Sequence, residues 1–239
     1  LHNPHFSIKF EIILFLILLA SLFFFQIKKQ QSEYHKNELQ VWASMKEGIT
    51  YIYRTKEILG ALCLDMFAVL FGGAVAMIPV FASDILKVGA DGFGLLNAAS
   101  DIGSMMIIVT LSFIPLRKNQ GKILIGVVAG FGLCIIGFGL SKLYWLSFLF
   151  LMLSGIFDGI SVVIRGTIVQ LKTPDHIRGR VMSANSIFIM SSNEMGQFES
   201  GVAAKLFGVV KSVVFGGTMT VLIALFVGKF VPKLRKMEY

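Results

Sequence analysis

The chain has 239 residues, of which 55% are hydrophobic and only 15% are charged, whereas roughly a quarter of the residues in a soluble domain are charged. This composition excludes an ordinary soluble domain and predicts an all-α membrane protein with several spans. The formal net charge of +8 does not indicate nucleic-acid binding, because the basic residues cluster between the apolar runs, where they set membrane topology.

Seven apolar runs are predicted to cross the membrane as helices, since a spanning segment must satisfy its backbone hydrogen bonds internally. The alternating pattern of barrel strands is absent from the sequence. The first run stands apart from the other six. In chain order the predicted spans cover residues 11–27, 58–82, 92–115, 123–140, 143–171, 181–208 and 212–231.

Lysine and arginine residues are concentrated on one side of these spans. The segments 28–57, 116–122, 172–180 and 232–239 fall on the same side and hold fifteen basic residues, whereas the opposite side holds four. Basic loops stay in the cytoplasm, so this side and the carboxy terminus are predicted to be cytoplasmic.

The segment 37–56 differs from the spans in its pattern. Apolar residues recur at helical spacing among charges, at Val41, Met45, Ile49 and Ile52. This pattern predicts an amphipathic helix that lies on the inner membrane surface, and a plain solvated linker is the alternative.

Charged residues occur in only some of the predicted spans, and each is costly at mid-depth. The first, fourth and seventh spans carry none in their interiors. This period of three predicts triplets in which two helices face a polar cavity and the third faces lipid, an arrangement found in transporters. The charged positions are Asp65, Asp101, Asp158, Arg165, Glu194, Glu199 and Lys205.

Asp158 and Arg165 are the central charges of the fifth span. They are seven residues apart, which places them on one face and about 10 Å apart along the helix. Asp65 is the expected partner of Arg165, and Asp101 is a second possibility. Two interpretations stay open: buried ion pairs that join helices, or a cavity that binds substrate or couples protons.

The sixth span carries a polar stripe of Ser186, Asn193, Gln197 and Ser200, with Glu194 beside it. A stripe of this length indicates contact with water or hydrogen bonds between helices. A glutamic acid at this depth also suits proton coupling.

Small residues predict close helix packing at two GxxxG pairs, Gly126–Gly130 and Gly155–Gly159, and at Gly72–Gly73. Cys63 and Cys134 lie in separate apolar runs and are interpreted as small core residues. No nucleophile–base pair, metal-ligand spacing or nucleotide fingerprint occurs, so neither an enzyme nor a cofactor or metal site is expected.

Three stretches resemble major facilitator superfamily exporters, with the enterobactin-exporter and macrolide-efflux type as the nearest group. The first is EGITYIYRTKEILGALCLDMFAVLFGGAVAMIPVFASDIL at 47–86. The second is GADGFGLLNAASDIGSMM at 89–106, and the third is DGISVVIRGTIVQLKTPDHIRGRVMSANSIF at 158–188. The resemblance covers nearly all of the chain from about residue 40.

The resemblance implies that the seven spans are the sixth to twelfth helices of a twelve-helix transporter, so that the chain is its carboxy-terminal half. Residues 1–27 would be the last helix of a missing amino-terminal lobe. Residues 28–57 would link the lobes, and residues 58–239 would form the six-helix carboxy-terminal lobe.

The function implied is proton-coupled efflux by alternating access, from the cytoplasm of a bacterial cell across its inner membrane. The substrate would be a small amphipathic molecule or a siderophore. A non-transporting membrane scaffold or sensor is the alternative. The expected cavity residues are Asp65, Asp158, Arg165, Glu194, Glu199, Asn193 and Gln197. The cytoplasmic gate implied by the family motif comprises Asp175, Arg178 and Arg180, and Asp101 is grouped with it.

Overall fold

The computed structural model describes residues 38–114, 116 and 118–235, and the predicted first span at 11–27 lies outside them. The described part is helical throughout and has no strand, which confirms the all-α prediction. Its helices are α1 (Glu38–Arg54), α2 (Lys56–Phe71), α3 (Ala90–Phe113), α4 (Gln120–Leu140), α5 (Tyr144–Lys172), α6 (Arg178–Phe207), α7 (Val209–Phe230) and α8 (Pro232–Arg235).

Four of these helices are long and apolar enough to cross a membrane, namely α3, α4, α5 and α7. They coincide with the third, fourth, fifth and seventh predicted spans. Helix α6 has 30 residues and occupies the sixth predicted span, but it is more polar than the others. Helix α2 has only 16 residues and is shorter than the predicted second span.

The prediction of one continuous second span over 58–82 is wrong. Helix α2 ends at Phe71, and short 3-10, α and π turns follow over 74–85. The cause is the pair Gly72–Gly73, because glycine has a low helix propensity and these two positions leave no room for a side chain. A Cβ atom at Gly73 would lie 2.7 Å from the Ser200 hydroxyl and 2.8 Å from the Gly196 carbonyl oxygen.

Other helix ends have similarly local causes. Thr173 adopts an extended conformation before Pro174, as expected for a residue that precedes proline, and this ends α5. Gly208 separates α6 from α7 with a φ of +87°, a conformation that glycine adopts without strain.

The interior holds two apolar clusters. One contains Ile52, Ile58 and Val181, next to the end of the bundle that carries Arg54 and Arg180. We call this the basic end. The other cluster contains the rings of Phe81 and Phe138, which are tilted by 33° to each other with centroids 4.5 Å apart. Helix α2 packs against α5, α6 and α7, and α4 packs against α5 and α7.

Glycines bring α3 and α5 into backbone contact, and the two helices run parallel. A Cβ at Gly155 would lie 1.9 Å from the Ser100 carbonyl oxygen, and one at Gly103 would lie 2.0 Å from that of Met152. The Gly155–Gly159 motif is therefore a packing motif, as predicted. The other predicted motif is closely packed at one of its two glycines: a Cβ at Gly130 would lie 2.9 Å from the Phe157 ring, whereas Gly126 has no atom within 4 Å of its Cβ position.

The segment predicted to be amphipathic is a helix, α1, which excludes the solvated linker. Its apolar face does not rest only on the membrane surface, however. Ile52 is completely buried and Ile49 packs against the same apolar cluster. Gly48 lies against the Arg180 carbonyl, so α1 is docked on the protein where α6 begins.

Candidate functional site

Asp65 and Arg165 form an ion pair inside the bundle, between α2 and α5. The guanidinium donates to the Asp65 carboxylate, and its Nε donates to the Ser161 hydroxyl at 3.3 Å. Both side chains are more than nine-tenths buried. The predicted partnership is confirmed, and its burial favours the interpretation of a pair that joins helices.

Asp158 occupies a different environment from this pair. It is half-buried and lines a small pocket with Asp65 and Ser161. Among the described residues it has no hydrogen-bond or ion-pair partner. Its charge lies close enough to those of Asp65 and Arg165 to interact with both. A carboxyl in this position can gain or lose a proton without breaking a salt bridge.

Helix α4 supplies the apolar wall of the same pocket through Val127, Val128 and Phe131. The absence of charge in α4 predicted a lipid-facing helix. Its Leu133 is exposed, but the helix is also the most buried of the four apolar spans. A helix can meet lipid with one face and the pocket with another, so absence of charge does not assign a whole helix to lipid.

The polar stripe of α6 is divided between two faces. Ser200 is buried and its carbonyl accepts a hydrogen bond from Ser212 at 3.2 Å. Asn193, Glu194 and Gln197 are exposed. The buried side of α6 is the one that fits against the break after α2, where Gly196 lies on the α2 backbone.

Glu199 is half-buried and lies away from Asp158, in a separate apolar groove between α2 and α6. The predicted cavity residues therefore do not form one cluster. Asp65, Asp158 and Arg165 come together at the small pocket, whereas Glu199 belongs to the groove.

The loop between α5 and α6 is held at the basic end by contacts to α1. Arg180 pairs with Glu47, and the Tyr51 hydroxyl donates to the Lys172 carbonyl. Arg178, the first residue of α6, pairs with Asp175 of the loop at 2.5 Å. Asp175, Arg178 and Arg180 thus lie together, as the resemblance implied, and Asp175 is largely exposed.

The sequence analysis did not identify Glu47, Gly48 and Tyr51 as loop contacts. Their only signal was the amphipathic period of α1, which does not specify what the helix packs against.

The structure does not bring Asp101 next to Asp175, Arg178 and Arg180. Asp101 lies near the middle of α3, roughly 18 Å from its Phe113 end at 1.5 Å per residue, and so far from the basic end. It is exposed, and it has no ion pair in the part of the chain that the structure describes. The alternative in which Asp101 is the partner of Arg165 is not observed, because Arg165 is paired with Asp65.

Replacing Gly48 with valine is expected to loosen α1 from α6, because a Cβ there would lie 2.5 Å from the Arg180 carbonyl oxygen. The rate of tryptic cleavage after Arg54, followed by mass spectrometry, measures how firmly α1 is held. We expect faster cleavage in the variant. Gly179→Val is the matched control, since Gly179 has no neighbour within 4 Å of its Cβ position. Equal cleavage rates in the two variants would show that the contact does not hold α1.

The fold and its buried charges define a multi-pass membrane protein with ionisable groups inside the spans, a pattern that indicates transport. The model of the transmembrane secretion effector family, MFS_3, matches residues 2–239, and the chain belongs to this family. It is accordingly a transporter of the major facilitator type, in contact with the lipid bilayer and a small-molecule substrate. Neither the comparison with curated proteins nor that with solved structures found a match.

Proposed function

We propose that this protein is part of a proton-coupled efflux transporter that moves a small amphipathic molecule or a siderophore by alternating access. Family membership shows that the protein is a transporter. The direction of transport, its coupling to protons and the alternating-access mechanism are proposed. The observation that carries it is Asp158, a half-buried acid that lacks a partner among the described residues and lies beside a neutralised ion pair.

Asp158 is the proposed proton carrier. Ionised, it adds a negative charge next to Arg165, which is already neutralised by Asp65. Protonated, it leaves the pocket uncharged, because the Asp65–Arg165 pair stays intact. Loading and release of one proton therefore change the charge between α2, α4 and α5, and such a change can bias the packing of these helices.

The exposed polar side of α6 supports a second helical lobe facing this one. Asn193, Glu194 and Gln197 are exposed at mid-depth, where contact with lipid tails is unfavourable. We place them at a water-filled cavity that this six-helix lobe, residues 58–239, shares with an amino-terminal lobe. The two lobes would rock about that cavity to expose it to each side in turn.

The basic end is proposed to be cytoplasmic, with the membrane being the bacterial inner membrane. There the Asp175–Arg178 and Glu47–Arg180 pairs would form the inner gate. Both pairs are solvent-exposed, so each contributes at most about 1 kcal/mol and can break and reform during a transport cycle.

Asp158→Asn tests the proposal, since asparagine keeps the side-chain shape but cannot carry the proton. In proteoliposomes with an imposed pH gradient, we expect the variant to lose substrate-dependent proton movement, measured with an entrapped pH dye. The substrates tested would be a macrolide, a catecholate siderophore and a lipophilic cation.

Asp91→Asn is the control for this experiment, because Asp91 is an exposed residue in the first turn of α3. It should transport like the unmodified protein. Unchanged proton movement in a folded Asp158→Asn protein would contradict the proposal. The scaffold or sensor alternative, favoured by the buried Asp65–Arg165 pair, would then be preferred.

A further inference from the structure

The outward side of α1 is aromatic and basic. Trp42 is 70% exposed and Tyr53 is 59% exposed, and Lys46 and Arg54 are exposed beside them. Positions 42, 46 and 53 are spaced by four and seven residues, so their side chains share one side of the helix. This side is turned away from Gly48, which lies against α6. We call these four residues the outer face of α1.

The positive charges of the outer face are not balanced by nearby acids. Lys46 and Arg54 have no ion pair among the described residues, and neither has the exposed Lys56 that follows them. Glu47 is the only exposed acid within 42–56, and it is already paired with Arg180. The outer face therefore keeps an excess of positive charge, which is complementary to an anionic partner.

The two aromatic rings indicate which kind of anion fits. Tryptophan and tyrosine concentrate at the membrane–water interface, where the ring meets apolar groups and its polar atom stays hydrated. Trp42 and Tyr53 are eleven residues apart, which is about 16 Å along the helix and nearly in line around it. Both rings can therefore reach the same interfacial plane when α1 lies along the membrane. A dissolved anion would match the charges but would leave both rings in water.

We propose that the outer face of α1 binds anionic phospholipid headgroups, with Lys46 and Arg54 at the phosphates and Trp42 and Tyr53 at interfacial depth. Helix α1 then has protein on one side and lipid on the other. Because its Glu47 holds Arg180, this contact also connects the loop between α5 and α6 to the membrane surface. The inference does not depend on the proposed transport function.

Trp42 can serve as its own probe, because the chain has two tryptophans and Trp145→Phe leaves Trp42 alone. The full chain with this change is placed in vesicles of phosphatidylcholine and phosphatidylglycerol, of which one lipid at a time carries brominated acyl chains that quench tryptophan on contact. We expect both lipids to quench Trp42. At equal fractions and low salt, the preference for phosphatidylglycerol should be at least about fivefold, and it should fall at high salt.

Lys46→Gln combined with Arg54→Gln should reduce this preference to nearly equal quenching by the two lipids. Lys87→Gln combined with Lys211→Gln is the matched control, since it removes the same charge from exposed positions before α3 and in the first turn of α7. The control should retain the preference.

Three results would overturn the proposal. Absence of quenching by either lipid would show that water or another protein covers Trp42. Equal quenching by the two lipids at low salt would remove the headgroup charge from the interaction. A preference that survives the change of Lys46 and Arg54 would place the anionic lipid at other residues.

Discussion

Replacing Arg165 with methionine is expected to destabilise the protein by about 3–5 kcal/mol, the largest effect of any single substitution considered for this fold. The substitution leaves the Asp65 carboxylate buried between α2 and α5 without its partner. Thermal unfolding of the purified protein in detergent, followed by intrinsic fluorescence, measures the loss.

The double variant Asp65→Leu with Arg165→Met distinguishes an ion-pair effect from a packing effect. Removing both charges eliminates the uncompensated buried group, so most of the stability should return. If the double variant is as unstable as Arg165→Met alone, the loss comes from packing, and the pair does not hold α2 to α5 as we infer.

The Asp65–Arg165 partnership was predictable from the sequence, because both charges fall inside apolar runs and a buried charge requires a partner. The environment of Asp158 was not predictable in the same way. Its pocket is formed by α2, α4 and α5, and the charge pattern assigned α4 to lipid.

The break after α2 illustrates a second limit of sequence analysis. Gly72 and Gly73 were predicted to allow close packing, but the apolar run continues through them without interruption. The need for glycine at position 73 depends on Gly196 and Ser200 of α6, which occupy the space where a side chain would lie. Contacts of this kind are made by residues more than a hundred positions away.

The polarity of α6 was evident from its sequence, but the role of each polar residue was not. Ser200 and Gln197 are three residues apart and share a stripe on a helical projection, yet one is buried and the other exposed. The boundary between the faces depends on where the neighbouring helices approach. Helical periodicity alone therefore did not separate the packed side from the free side.

Replacing Gly155 with alanine is expected to cost about 1–3 kcal/mol, because the added methyl overpacks the contact between α3 and α5. Its Cβ would lie 1.9 Å from the Ser100 carbonyl oxygen, and a backbone atom cannot move aside as a flexible side chain can. The helices must separate, which also weakens the nearby contact of Gly103 with Met152. Thermal unfolding in detergent measures the effect.

Gly126→Ala is the matched substitution, since Gly126 begins the other GxxxG motif and has open space at its Cβ position. Alanine favours the helix over glycine by about 1 kcal/mol, so this variant should be as stable as the unmodified protein or slightly more stable. The same change at the first glycine of each GxxxG pair thus has opposite expected signs, and only the structure distinguishes the two positions. Equal stability of the two variants would mean that α3 and α5 do not approach each other through Gly155.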